Sequence, residues 1–120
     1  MTGGLETLCH IRELHRAISE FEQQFQSRHG LCMNEGMLLC TLKKSCCLTS
    51  GAIADALALS VSNASKVISA AEKKGLVSRS LGDCDKRQMR FMLTDKGEKV
   101  LEEISKCELH LPPPLAALMP

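Results

Sequence analysis

Residues 48–97, LTSGAIADALALSVSNASKVISAAEKKGLVSRSLGDCDKRQMRFMLTDKG, decide the fold. Ile53, Ala54 and Leu57 recur at helical spacing behind Thr49 and Ser50, either of which can cap a first turn. A break at Leu59-Ser60 leads into a second helical stretch that Ser60 or Ser62 can cap and Gly75 can close. After Gly75, polar positions alternate with Met89, Phe91 and Leu93, and Gly82-Asp83 marks a turn, so the segment reads strand, turn, strand. Two short helices joined tightly and followed by a hairpin make a winged helix, a frame that carries its second helix into a DNA groove.

The second helix has two unlike faces. At about 100° per residue, Ala64, Val67, Ile68 and Ala71 fall on one side, small enough for close packing. Ser62, Ser65, Lys66, Ser69 and Lys73 fall on the other, with Asn63 at the start of the helix. Short hydroxyls let a backbone approach base edges and phosphates closely, and lysine supplies charge. A merely solvated face is the plainer alternative, but the basic hairpin that follows weighs against it.

Net charge is +1 over 120 residues, so general stickiness to polyanions is not expected. Its distribution is uneven. Residues 1–59 sum to −1, residues 60–99 to +4 and the remainder to −2, which concentrates positive charge on the second helix and hairpin. With three Phe and no Tyr or Trp, stacking on single-stranded bases is not available, and double-stranded DNA is the better partner.

The segment around Glu72-Lys73-Lys74-Gly75-Leu76-Val77, Asp83-Cys84-Asp85-Lys86-Arg87 and Leu93-Thr94-Asp95-Lys96-Gly97 resembles the winged-helix core of the MarR (multiple antibiotic resistance regulator) family over residues 31–104. The resemblance implies a homodimeric transcriptional regulator, usually a repressor, on a pseudo-palindromic operator. It implies that Arg87, beside Lys86 in the wing, enters the minor groove. Asp85 would then orient an arginine by a bidentate pair, with Arg79 the candidate partner.

Leu8, Ile11, Leu14, Ile18, Phe21 and Phe25 step by three or four residues along a first helix that Gly30 ends. A narrow apolar stripe on so long a helix suits an oligomer, and a core helix is the alternative. A shorter helix over 34–44 carries Met37, Leu38 and Leu42, with Cys40 on its inner side; a last helix, capped near Thr94 or Asp95, carries Val100, Leu101, Ile104 and Leu111. Pro112-Pro113-Pro114 stops it, a departure from the family, which supplies a further long helix there. The expected fold class is mainly α (α+β): a winged helix-turn-helix flanked by N- and C-terminal dimerisation helices. Its parts are a dimerisation helix over 5–30, a DNA-binding core over 31–97, a second dimerisation helix over 98–111 and a Pro-rich tail over 112–120. Leu8, Ile11, Leu14, Ile18 and Leu101 are expected near the two-fold axis.

Seven cysteines, an odd number including the neighbours Cys46-Cys47, argue for reduced thiols over a disulfide framework. Incidental thiols, a redox switch and a metal site compete. The hydroperoxide-sensing branch of the resembled family carries a reactive cysteine near the start of its first helix, where Cys9 stands, but that branch also uses tyrosines and this chain has none. Cys84 in the wing is the second redox candidate. Cys107 and His110, with Cys9-His10, are the only metal-like set, and no Cys-x-x-Cys supports zinc. No metal or cofactor is expected.

No phosphate-binding glycine loop and no His-Glu-x-x-His is present, and His29, at a helix end, reads as a cap, so no enzyme is expected. No apolar run approaches a membrane span and no signal-peptide core opens the chain, which points to a cytoplasmic protein. A small-molecule effector is a candidate partner. The alternative function is a winged-helix protein-interaction module without an operator.

Overall fold

The computed structural model describes residues 3–81, 89–107 and 110–119. The elements run α1 (Gly4–His29), α2 (Met33–Lys44), β1 (Leu48–Thr49), α3 (Ser50–Leu57), α4 (Val61–Lys73), β2 (Val77–Leu81), β3 (Met89–Leu93), α5 (Asp95–Lys106) and α6 (Pro113–Ala116). The chain forms two compact units, one from the described residues of 1–31 and 108–120, the other from Cys32–Cys107. The second unit has the winged-helix architecture with its three-stranded antiparallel sheet in the order β1-β3-β2.

In the first unit, Gly30 ends α1 in the left-handed region (φ 70°), its N–H donating to the Gln26 carbonyl at 2.8 Å. Phe25 and Ala17 are buried, whereas Leu5, Leu8 and Ile11 are 81%, 63% and 55% exposed, so the apolar stripe is uncovered over its first half. The proline segment is not a featureless tail. Pro113 opens α6 at a position where a missing N–H costs nothing, and α6 packs against α1. The Gln24 side-chain amide donates to the His110 carbonyl at 2.9 Å and accepts from the His110 N–H at 2.8 Å. That two-way bond needs non-helical backbone at His110. The last long helix stops at Lys106 with Cys107 extended, short of the expected 111, and Leu111 lies outside it.

In the second unit, Leu38, Leu39, Ile53 and Leu76 are fully buried and form the centre of the core. Truncating any of them to alanine would cost about 2–5 kcal/mol. The faces of α2 differ from the expected ones: Leu38, Leu39 and Leu42 point inward, while Met37 and Cys40 are exposed. Four consecutive residues of similar apolarity leave a short helix's rotation open, and packing against α3, α4 and α5 settles it. The two-residue strand β1 carried no alternating pattern in the sequence. It pairs Leu48 with Phe91 and Thr49 with Arg90, giving β3 a partner on each side.

Gly97, in the first turn of α5, lies against the Leu76 carbonyl. A Cβ there would penetrate the Leu76 oxygen and stand 3.2 Å from Leu93 Cδ2. We expect Gly97→Ala to destabilise the fold by about 1–3 kcal/mol, read as a lower urea midpoint; an unchanged midpoint would refute this close approach.

Candidate nucleic-acid interface

Local hydrogen bonds set both helices of the helix-turn-helix. Thr49 Oγ1 accepts from the Ala52 N–H at 3.2 Å and opens α3. Ala58, at φ 55°, ends it in the left-handed region, and the Leu59 N–H returns to the Ala54 carbonyl at 2.9 Å. A left-handed alanine is strained, but it turns the chain within three residues. Ser60 Oγ then accepts from the Asn63 N–H at 3.1 Å and starts α4. Of the capping alternatives, Thr49 and Ser60 serve.

Ala64, Ile68 and Ala71 of α4 are buried and Val67 is half-buried. Ser62, Asn63, Ser65, Lys66, Ser69 and Lys73 are all exposed. Ser65, Lys66, Ser69 and Lys73 line one shallow depression with Ala70, so hydroxyls and cations meet on a single strip of surface. At the start of the helix, backbone N–H groups and the positive end of the dipole add to its preference for anions.

The far end of α4 is tied down on several sides. The Leu76 N–H bonds the Ala71 carbonyl at 3.0 Å around Gly75 (φ 76°), closing the helix. Thr94 Oγ1 donates to the Gly75 carbonyl at 2.6 Å and Lys96 Nζ to the Lys74 carbonyl at 2.8 Å. Lys74 Nζ reaches the buried Glu35 carboxylate at 2.8 Å, and the same oxygen accepts the Cys32 N–H at 2.9 Å, capping α2. Burial pushes the Glu35 carboxyl upward, but the Lys74 ammonium and the Cys32 bonds outweigh it and hold the group below the ordinary carboxylate range.

At the root of the wing the structure gives Arg79 a partner that the sequence reading did not name. Its guanidinium is taken by Glu72, with Nε 2.7 Å from Oε2 and Nη2 bonded to Oε1. It also lies 5.6 Å from the centroid of the Phe91 ring, its register partner on β3. Arg79 hydrogen bonding holds Glu72 below the usual carboxylate range. Arg79 is thus an internally paired cation at the root of the hairpin, not a free one. The wing residues Asp85, Lys86 and Arg87, with Cys84 and the Gly82-Asp83 turn, lie outside the described residues.

The sequence reading passed over Glu72, although it held a signal. An acid in the last turn of a helix opposes the helix dipole and needs a cation from elsewhere. The partner lies seven residues on, across a turn, where helical pairing rules do not reach. Ser50 was missed too; it shares a depression with Ser65, Ser69, Glu72 and Arg79.

Leu8, Ile11 and Ile18 are exposed and Leu14 is half-buried on α1; Leu101 lines a groove of about 480 Å³ between α2 and α5 with Cys40 and Lys43. Cys9 is exposed in the second turn of α1, past the free N–H groups of the helix start. Burial pushes the Cys32 thiol up. His29 does not act as the cap; Gly30 does, and the His29 ring packs on Phe25 with centroids 4.9 Å apart. Among the described residues, no group of three His, Cys, Asp or Glu side chains is placed to hold a metal, and no helix is long and apolar enough to cross a membrane.

Residues 31–89 match the model of the MarR family. No curated protein matches the sequence. Among solved structures, AbsC, a MarR family transcriptional regulator from Streptomyces coelicolor, superposes with a TM-score of 0.76 at 23% identity, over 88% of this chain and 74% of that one. A mutant MarR from E. coli complexed with operator DNA gives 0.71 at 20% identity, over 82% and 72% of the two chains. The MepR–DNA complex of S. aureus gives 0.66 at 23% identity, over 80% and 79%. At these identities the superpositions speak for the fold, and they agree with the family match on the helix-turn-helix and hairpin just described: the chain belongs to the MarR family of winged-helix transcriptional regulators.

Proposed function

We propose that the protein is a sequence-specific double-stranded-DNA-binding repressor that acts as a cytoplasmic homodimer on a pseudo-palindromic operator and catalyses no reaction. The observation that carries this reading is the outer strip of α4, where exposed hydroxyls and lysines share one depression and no acid interrupts them. The structures of E. coli MarR and S. aureus MepR that share the fold hold DNA. In this reading Ser62, Asn63, Ser65, Lys66, Ser69 and Lys73 face the major groove, and Lys86 and Arg87 reach the minor groove and backbone. Residues 31–97 read DNA, while 5–30 and 98–111 supply the dimer contacts.

Arg87→Ala and Lys66→Ala should each weaken binding to an operator selected from a random duplex pool, the arginine change by about 1–3 kcal/mol, with unaltered circular dichroism. Equal binding by both variants and wild type would show this surface to be the wrong one.

The uncovered residues Leu5, Leu8, Ile11 and Ile18 on α1 support the dimer. Two reading helices would then lie about 34–36 Å apart on one face of the duplex. Light scattering at micromolar concentration should give twice the monomer mass. A monomer with no duplex affinity would instead favour a protein-interaction module.

Release from the operator is assigned to a small-molecule effector or to oxidation of Cys9 or Cys84. Cys9 is exposed beside Leu8 on the uncovered stripe, where a sulfenic acid or mixed disulfide would add polarity to the dimer face. Mild peroxide should lower operator affinity and reductant restore it, with Cys9→Ser insensitive. Retained affinity with every thiol modified would leave only the effector route.

A further inference from the structure

Glu72, in the last turn of α4, and Arg79, on β2, are brought face to face by the Gly75 turn. The guanidinium stands at the edge of the reading face: it shares a depression with Ser50, Ser65 and Ser69, and its side chain is 51% exposed. An arginine fork there, left to itself, suits a backbone phosphate. Phosphate contacts strengthen binding to any duplex and carry no sequence information. The bidentate Glu72 carboxylate cancels that charge in place.

We infer that Glu72 is a specificity-determining residue: by holding Arg79 it withdraws one cation from the phosphate-binding surface and keeps binding to arbitrary duplex weak. The inference rests on the DNA-binding reading proposed above. A purely mechanical role for the pair is disfavoured by the redundancy around it. The turn is already closed by the Leu76 and Gly75 N–H bonds to the Ala71 and Glu72 carbonyls, and the helix end is held by Thr94, Lys96 and the Lys74–Glu35 pair. The Phe91 ring keeps the guanidinium at the same place when the carboxylate charge is gone. Glu72→Gln therefore frees a cation without undoing the fold.

The test is fluorescence anisotropy with a random-sequence duplex and the selected operator over a salt series. Glu72→Gln should melt like wild type and bind the random duplex roughly five- to tenfold more tightly near 0.1 M salt, with the slope of log K against log salt steeper by about 0.9. The ratio of operator to random affinity should fall. The double variant Glu72→Gln/Arg79→Gln should return to the wild-type slope. Arg79→Gln alone uncovers the Glu72 carboxylate and should not exceed the wild-type slope; the double variant, which removes both charges together, holds the test open if Glu72→Gln lowers the melting temperature. An unchanged slope in Glu72→Gln, weaker binding to both duplexes, a steepening that persists in the double variant, or a double variant with a slope shallower than wild type would each overturn the inference. Wild-type protein that binds neither duplex would overturn the DNA-binding reading itself, and the inference with it, before any variant is made.

Discussion

The end of α4 is the constraint on which the winged unit depends. Gly75 can take its left-handed conformation without a Cβ penalty, and that turn aims the chain from helix into strand. The carbonyls left open there are not surrendered to solvent. Thr94 and Lys96 satisfy those of Gly75 and Lys74, and the Thr94 N–H bonds the Leu76 carbonyl at 3.1 Å. Gly97 then lets α5 settle onto that same carbonyl, an approach no side chain would permit. One turn thereby fixes where the reading helix stops, where the hairpin begins and where the last long helix starts.

The Glu35–Lys74 pair ties the same point to α2. It is half inside the protein: the carboxylate is buried and the ammonium partly open. Removing a buried charge's partner is costly, whereas the pair as a whole adds little net stability, so its value lies in register more than in strength. Because Glu35 also caps α2, the start of that helix and the end of α4 answer to one carboxylate. Rigid support at the C-terminal end leaves the N-terminal half of α4, with its exposed Ser62, Asn63, Ser65 and Lys66, free to face a partner.

Charge on the reading side is subtler than counting suggests. The local excess of residues 60–99 already sets Glu72 against Arg79, and it still counts Lys74, which Glu35 engages from outside that stretch. Among the described residues, Lys66 and Lys73 remain on the outer strip of α4.

The sequence alone determined the helix-turn-helix and the strands of the hairpin and narrowed each of its N-caps to two hydroxyls, because each is written in near-neighbour chemistry. A hydroxyl three residues before an N–H, a glycine after an apolar run and alternation along β3 are local signals. The exposed face of α4 was legible for the same reason: a periodicity of 3.6 sorts alanine and isoleucine from serine and lysine without knowledge of what packs behind them. Tertiary structure decided the rest. The partner of Arg79 is chosen by a turn that brings residues seven apart together, and the rotation of α2, which exposes Cys40 and Met37, by three neighbouring helices. Strand β1 is too short to show a pattern and exists only because β3 offers it an edge. The place of His110 beside α1 is fixed by Gln24, 86 residues away, whose side-chain amide donates to its carbonyl and accepts from its N–H. These features rest on contacts between residues remote in sequence, whose energies no local spacing encodes.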